Sequence, residues 1–114
     1  MKKLEIIIHP EKLEDLKELL EKCEYHGINI TNIMGCGKQR GKVAGQYRGN
    51  QCAINLLPKL RVECVVFDEE VKDITECVLE EIRTGNYGDG KIFIYNVEEA
   101  VRIRTGERGD PAIK

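Results

Sequence analysis

Apolar side chains recur along this chain with two periods, and the two periods alternate in a fixed order. Residues 3–8 place apolar side chains at every second position and are rich in β-branched residues, which predicts a strand. From residue 11 to about residue 23 the apolar positions fall on one face of a helix, and Pro10 marks its beginning. Residues 28–35 predict a second strand, so the chain opens with a β-α-β unit.

The same order of elements returns later in the chain. A strand is predicted at 62–66, Asp68 has the side chain of a helix N-cap, and a closing strand is predicted at 91–95. Two such units give β-α-β-β-α-β, so the predicted fold class is α+β, a ferredoxin-like sandwich with both helices on one face of an antiparallel sheet. At 114 residues the chain has the size of one domain, spanning 1–114. The apolar stripe of the second helix consists of Val71, Ile74, Val78 and Ile82.

The β-α-β-β-α-β pattern leaves two features of the sequence unexplained, a second apolar set on the strands and a long glycine-rich segment. The strands carry a second apolar set, Ile7, Val65 and Phe93, on the face that the helices leave open, which predicts that subunits associate there. The glycine-rich segment 37–58 fits no helix or strand. A loop of that length in a compact domain is usually functional or disordered.

Composition excludes some classes of function. The 18 basic and 20 acidic residues are interspersed and leave a formal charge of -2, which gives no electrostatic footprint for nucleic acid. The five cysteines are widely spaced, without a C-x-x-C pair, which fits reduced thiols better than a zinc site or a disulfide framework. No apolar run suits a signal peptide or a membrane span. We therefore expect a cytoplasmic protein.

The segment 84–91 (TGNYGDGK) is a candidate phosphate-binding loop. From Gly85 to Lys91 it fits G-x-x-x-x-G-K, but Ile92 replaces the Ser or Thr of a Walker A motif, and the loop leads from a helix into a strand rather than the reverse. Glycines still allow backbone N–H groups to converge on an anion, to which Lys91 adds a charge. The alternative is a helix C-cap with a solvated lysine.

The C-terminal segment 101–114 contains a second cationic feature. Arg102 and Arg104 would share one face of an extended segment, where two guanidinium groups could clamp a polyphosphate. The alternative is a solvated basic edge that protects a strand.

Taken together and in order, these segments closely resemble the PII nitrogen-regulatory signal-transduction family. The resemblance covers nearly the whole chain, and its longest motifs are those of the glycine loop and the arginine segment. The matching segments are 1–5 (MKKLE) with Pro10, 35–39 (GCGKQ), 47–49 (YRG), 57–59 (LPK), 84–93 (TGNYGDGKIF) and 102–109 (RIRTGERG).

The resemblance implies a homotrimer that binds ATP or ADP in clefts between adjacent subunits, with no catalytic residues. Arg102 and Arg104 would reach the phosphates from the neighbouring subunit, and Glu63 would lie near the ribose. Magnesium bound with ATP would involve Gln39 and create a site for 2-oxoglutarate, whose residues would be Gln39 and Lys59. The side of the cleft formed by the first subunit would comprise Gly37, Lys38, Gln39, Gly88, Asp89, Gly90 and Lys91.

The resemblance also implies an output through the long loop, about 37–58, which would insert into a partner. An ammonium transporter is the first candidate, followed by glutamine synthetase, nitrogenase or a transcription factor. Cys52 stands where many family members carry a tyrosine that is nucleotidylated, and Asn50 stands near the serine that others phosphorylate. We therefore expect no such modification at Cys52.

Two other functions remain as alternatives. The chain could be a small nucleotide-hydrolysing or phosphate-transfer enzyme that uses Lys91 and the arginines, although no general base is evident beside the glycine loop. It could also be a PII-like sensor of a different effector, which the presence of Gln39 and Lys59 disfavours.

Overall fold

The computed structural model describes residues 1–22, 26–36 and 56–114. They form a four-stranded sheet of order β2-β3-β1-β4 in which every pair of neighbours is antiparallel, with two helices packed on one face. The predicted ferredoxin-like α+β fold is confirmed. Its elements are β1 (Lys2–Ile8), α1 (Leu13–Lys22), β2 (Asn29–Gly35), β3 (Leu57–Val66), α2 (Val71–Glu81) and β4 (Lys91–Asn96).

The core lies between the sheet and the helices. Leu4 of β1 stands opposite Cys64 of β3, and Ile6 stands opposite Val62, so the alternate residues of both strands project to the same face. Burial raises the pKa of the Cys64 thiol to about 11, and this cysteine packs as a small apolar residue in the core. The helices contribute Leu16, Leu19, Leu20, Ile74 and Val78 to the core, and Ile82, which directly follows α2, completes the set.

The start of α2 differs from the prediction. A 3₁₀ turn, Asp68–Glu70, precedes the helix, and the Glu70 carboxylate accepts a hydrogen bond of 2.8 Å from the Phe67 N–H. The Asp68 carboxylate instead lies 2.9 Å from the N-terminal amine of Met1, and this contact lowers the pKa of Asp68. The N-cap assignment to Asp68 was wrong because a partner distant in sequence takes its carboxylate.

The long loop is shorter than predicted at its C-terminal end. β3 begins at Leu57, which pairs with Gly35 of β2, so residues 57 and 58 belong to the sheet. The remainder of the predicted loop that lies within 37–55, including Asn50 and Cys52, is outside the described residues, as is Cys23 beyond the end of α1. No helix in the described ranges is long and apolar enough to cross a membrane.

The open face of the sheet carries charges as well as the predicted apolar set. Glu5 and Glu63 stand directly opposite each other, and Arg61 lies between them, with its Nε 3.1 Å from Glu63 and 3.8 Å from Glu5. The Tyr95 hydroxyl donates a 3.0 Å hydrogen bond to Glu5, which raises the pKa of Tyr95. Phe93, in contrast, leaves 44% of its surface exposed on this face.

Candidate functional site

The glycine loop 84–91 connects α2 to β4, and its shape depends on Asp89. The Asp89 carboxylate accepts hydrogen bonds from the Thr84 hydroxyl at 2.5 Å, the Thr84 N–H at 2.8 Å and the Gly85 N–H at 2.9 Å. These bonds, with the Thr84 hydroxyl contributing most, lower the pKa of Asp89. Asp89 was predicted as a nucleotide-binding residue; in the structure its carboxylate braces the loop, so its effect on a ligand would act through loop shape.

Gly90 brings this loop against the first strand. Its φ of +101° lies in the left-handed region, and a Cβ built there would stand 1.6 Å from the Ile7 carbonyl oxygen. Only glycine allows both the backbone conformation and the close approach. The close packing of Gly90 against Ile7 thus positions the loop backbone directly before Lys91, the first residue of β4.

Lys59 of β3 joins the sheet to the same loop. Its side chain is buried, and Nζ donates a 2.8 Å hydrogen bond to the Gly88 carbonyl oxygen. Burial lowers the pKa of Lys59, while the negative charges of Asp89 and Glu11 act in the opposite direction. A buried ammonium next to a glycine loop is suited to bind an anion, because water screens the attraction between opposite charges less at a buried position.

These residues border one cavity of about 520 Å³, which we call the phosphate-loop cavity. The predicted residues Lys59, Gly88, Gly90 and Lys91 line it, and apolar side chains including Ile7 and Phe93 form the remaining wall. The volume and the mixture of one apolar wall with a few polar groups suit part of a small ligand. The predicted residues Gly37, Lys38 and Gln39 lie outside the described residues.

A second cavity, of about 440 Å³, contains two further predicted residues and is called the Arg102 cavity. Glu63 and Arg102 line it together with Lys3, His26 and the backbone at Gly27. Glu63 and Arg102 therefore lie in a different cavity from Lys59, Gly88, Gly90 and Lys91, and Asp89 and Arg104 line neither cavity. Within the described chain, the arginine side and the glycine-loop side of the predicted clamp do not line a common cavity.

The arginine segment folds as a tight turn, so the predicted extended conformation was wrong. Val101 bridges to Arg108, and the Gly106 N–H donates a 2.7 Å hydrogen bond to the Arg102 carbonyl oxygen. Gly106 has a φ of +74°, which closes the turn. Arg104 is exposed on this turn and lines neither of the two cavities, whereas Arg102 lines the second.

Arg102 already contacts acceptor groups of its own C-terminal segment. Its guanidinium lies 3.3 Å from the Glu107 carboxylate and also donates to the Lys114 backbone carbonyl. The Thr105 hydroxyl donates a 2.8 Å hydrogen bond to the same Glu107 carboxylate. A phosphate that binds the Arg102 guanidinium would therefore have to displace the Glu107 carboxylate.

Two histidines stand beside the cavities, and the sequence assigned neither a binding role. His26 Nε2 lies 3.1 Å from Glu70, and its ring packs edge-on against Phe67 with 4.8 Å between ring centroids. His9 Nε2 lies 3.5 Å from Lys59 Nζ. Both contacts join distant parts of the chain, so no local spacing could have indicated them. No group of three His, Cys, Asp or Glu side chains among the described residues could hold a metal ion.

The fold and the two cavities define a class: a ferredoxin-like α+β protein with an open sheet face and two separate cavities, each lined in part by basic side chains. The chain belongs to the family described as nitrogen regulatory protein P-II, whose model matches residues 1–107. The resemblance found in the sequence is thereby confirmed.

Relatives from archaea and bacteria match over nearly their whole length. The chain is 48% identical over 113 residues to nitrogen regulatory protein P-II 2 of Methanothermobacter thermautotrophicus, covering 99% of this chain and 97% of the relative. It is 46% identical to the P-II protein of Rhodospirillum rubrum and 45% identical to that of Pasteurella multocida, covering 99% of this chain and 100% of each relative. These names describe regulatory proteins of nitrogen metabolism, which supports a signal-transduction function.

Proposed function

We propose that this chain senses ATP or ADP together with 2-oxoglutarate at the subunit interfaces of a homotrimer, and that it regulates a partner through the loop at about 37–58. The observation that carries the proposal is the division of predicted ligand residues between two cavities. A polyphosphate that contacts both Lys91 and Arg102 would then require two subunits, which a cyclic assembly supplies three times.

The proposed nucleotide contacts follow from the chemistry of each surface. The backbone of the glycine loop and Lys91 would bind the phosphates from one subunit, and Arg102 would bind them from its neighbour. Glu63, also in the Arg102 cavity, has the acceptor oxygens that a ribose hydroxyl needs. Arg104 is exposed on the turn and could reach the phosphates only after assembly.

The proposed effector contact is centred on Lys59. Magnesium would be brought by ATP and approached by Gln39, and 2-oxoglutarate would coordinate that metal with one end and pair with the Lys59 ammonium with the other. Each ligand would then strengthen the binding of the other, as thermodynamic linkage requires. The buried position of Lys59 at the wall of the phosphate-loop cavity supports this assignment.

Calorimetry tests ligand choice. ATP or ADP would be titrated with and without magnesium, and 2-oxoglutarate would be titrated into the protein with and without saturating ATP and magnesium. We expect 2-oxoglutarate to bind only when ATP and magnesium are present. If no nucleotide binds, the proposed function is wrong.

A complementation experiment tests the location of the site. Lys91→Gln and Arg102→Gln each remove one half of the clamp, so trimers of either variant alone should bind ATP weakly. If a site takes Lys91 from one subunit and Arg102 from the next, random mixed trimers should regain about a quarter of the wild-type sites. A site formed within one chain would regain none on mixing.

The proposed output is regulation of a nitrogen-metabolism protein in the cytoplasm. An ammonium transporter is the first candidate partner, with glutamine synthetase, nitrogenase or a transcription factor as the others. Capture by the wild-type protein with ADP, and release on addition of ATP, magnesium and 2-oxoglutarate, would identify the partner and the direction of the response. Cys52 lacks the phenol that nucleotidylation requires, so we expect no mass increase of a nucleotide at this residue.

A further inference from the structure

Glu63, the predicted ribose acceptor, belongs to a network of charges on the open face of the sheet. It stands directly opposite Glu5 in the pairing of β3 with β1, and like charges in that position repel each other. Arg61 lies between the two carboxylates, with its Nε 3.1 Å from Glu63 and 3.8 Å from Glu5. The guanidinium therefore offsets a repulsion that would otherwise turn the Glu63 side chain away from Glu5.

The two glutamates differ in what their carboxylates bind. Glu5 accepts a 3.0 Å hydrogen bond from the Tyr95 hydroxyl. The Arg61 Nε is buried and has no hydrogen-bond partner among the described residues, so its contact with Glu63 is an ion pair. The Lys3 ammonium lies 3.9 Å from Glu63, which is also too far for a hydrogen bond. Charge thus holds the Glu63 carboxylate in place, while its lone pairs stay available to another donor.

The Glu63 carboxylate borders the Arg102 cavity. Glu63 and Lys3 line this cavity, whereas Arg61 does not. A ribose hydroxyl can donate a hydrogen bond, and a carboxylate binds such a donor more strongly than a neutral acceptor does. Resting on the proposed function, we propose that Arg61 is a positioning residue that acts through Glu63 and makes the nucleotide site selective for ribonucleotides over deoxyribonucleotides.

Calorimetry with ATP, 2′-deoxyATP and 3′-deoxyATP measures this selectivity as a ratio of dissociation constants. We expect the wild type to bind at least one deoxy analogue roughly tenfold more weakly than ATP, because a hydrogen bond to a charged group is lost. Glu63→Ala should bind all three nucleotides with similar affinity. Arg61→Gln should lower the ratio to below roughly threefold, because Glu63 then turns away from Glu5.

Two further variants separate positioning from a general loss of structure. Arg61→Gln combined with Glu5→Gln removes both the guanidinium and the repulsion, so the ratio should return toward the wild-type value. Arg61→Lys keeps the positive charge and should retain most of the ratio. A variant that only weakens folding or assembly should lose affinity for all three nucleotides and leave the ratio unchanged.

Each failure has a different meaning. An unchanged ratio in Arg61→Gln, with the ratio lost in Glu63→Ala, overturns the inference for Arg61 alone. Failure of the added Glu5→Gln to restore the ratio also overturns it, because repulsion between the glutamates is then not the cause. Equal binding of the three nucleotides by the wild type overturns the ribose contact and its positioning but leaves nucleotide sensing intact. Absence of binding by any of them overturns the proposed function.

Discussion

At the scale of single residues, the glycine loop shows which positions are constrained by geometry and which by chemistry. Gly85 and Gly90 both have a positive φ, of +87° and +101°, but a Cβ at Gly85 meets no atom within 4 Å. A Cβ at Gly90 would overlap the Ile7 carbonyl. The G-x-x-x-x-G-K spacing indicates both glycines equally, so only the fold distinguishes their roles.

This difference gives a matched pair of variants. Gly85→Ala should cost about 1 kcal/mol of unfolding free energy, because it adds only backbone strain. Gly90→Ala should cost more than about 3 kcal/mol or displace the loop, because the strain is joined by a backbone clash. Urea denaturation measures both changes, and ATP titration should show the larger loss for Gly90→Ala. Equal effects would contradict the close approach of Gly90 to β1.

Asp89 gives a prediction about pH. The pKa of Asp89 is lowered in the folded state, where its carboxylate accepts hydrogen bonds from Thr84 and Gly85. These bonds therefore stabilise the folded state fully at pH values above the ordinary pKa of aspartate. This stabilisation is lost as the pH falls through the lowered pKa. Asp89→Asn should therefore lower stability at neutral pH and make the decline toward acid less steep. Denaturation midpoints across the acid range test this.

Asp68→Asn serves as the control for Asp89→Asn. The pKa of Asp68 is also lowered, but its partner is the amine of Met1 rather than the glycine loop. Asp68→Asn should change how stability declines at acid pH without changing the affinity for nucleotide. A loss of nucleotide affinity in both variants would assign the effect to general destabilisation.

At the scale of elements, strands and helices could be predicted because each buries one face. The period of two at β1 and the helical stripe of α2 follow directly from a sheet covered on one side. The start of β3 could not be predicted, because Pro58 normally argues against a strand. Pro58 pairs with Met34 of β2, whereas β1 covers β3 only from Leu60 onward, so the missing N–H falls where β3 has a single neighbour.

The entry to α2 provides a test at this scale. Glu70 caps the Phe67 N–H and contacts His26, so Glu70→Gln should lower the unfolding free energy by about 1 kcal/mol. Glu69→Gln removes the same charge from the exposed neighbouring residue and should cost less than about 0.5 kcal/mol. Thermal and urea denaturation would compare them. Equal losses would indicate that acidic charge near the helix start matters more than the specific cap.

At the scale of the whole molecule, the sequence indicated the residues of the candidate site but not how one chain distributes them. The glycine loop and Arg102 were both identified, yet they line different cavities, and Arg104 lines neither of them. Motif spacing reports local chemistry, whereas the separation of cavities depends on the path of the whole chain. The same separation makes assembly the central requirement of the proposed function.

Assembly and binding should therefore change together. Phe93 is 44% exposed on the open face of the sheet, so Phe93→Ala should weaken a trimer that buries this face and raise the protein concentration needed for assembly. Because Phe93 also lines the phosphate-loop cavity, the variant could lose affinity directly. Light scattering and ATP titration of Phe93→Ala over a range of protein concentrations separate the two effects. If the site spans two subunits, ATP binding should recover at concentrations where trimers re-form. If Phe93 contacts the ligand directly, the loss of ATP affinity should be the same at every concentration. Monomers that bind ATP as tightly as trimers would contradict the proposed location of the site.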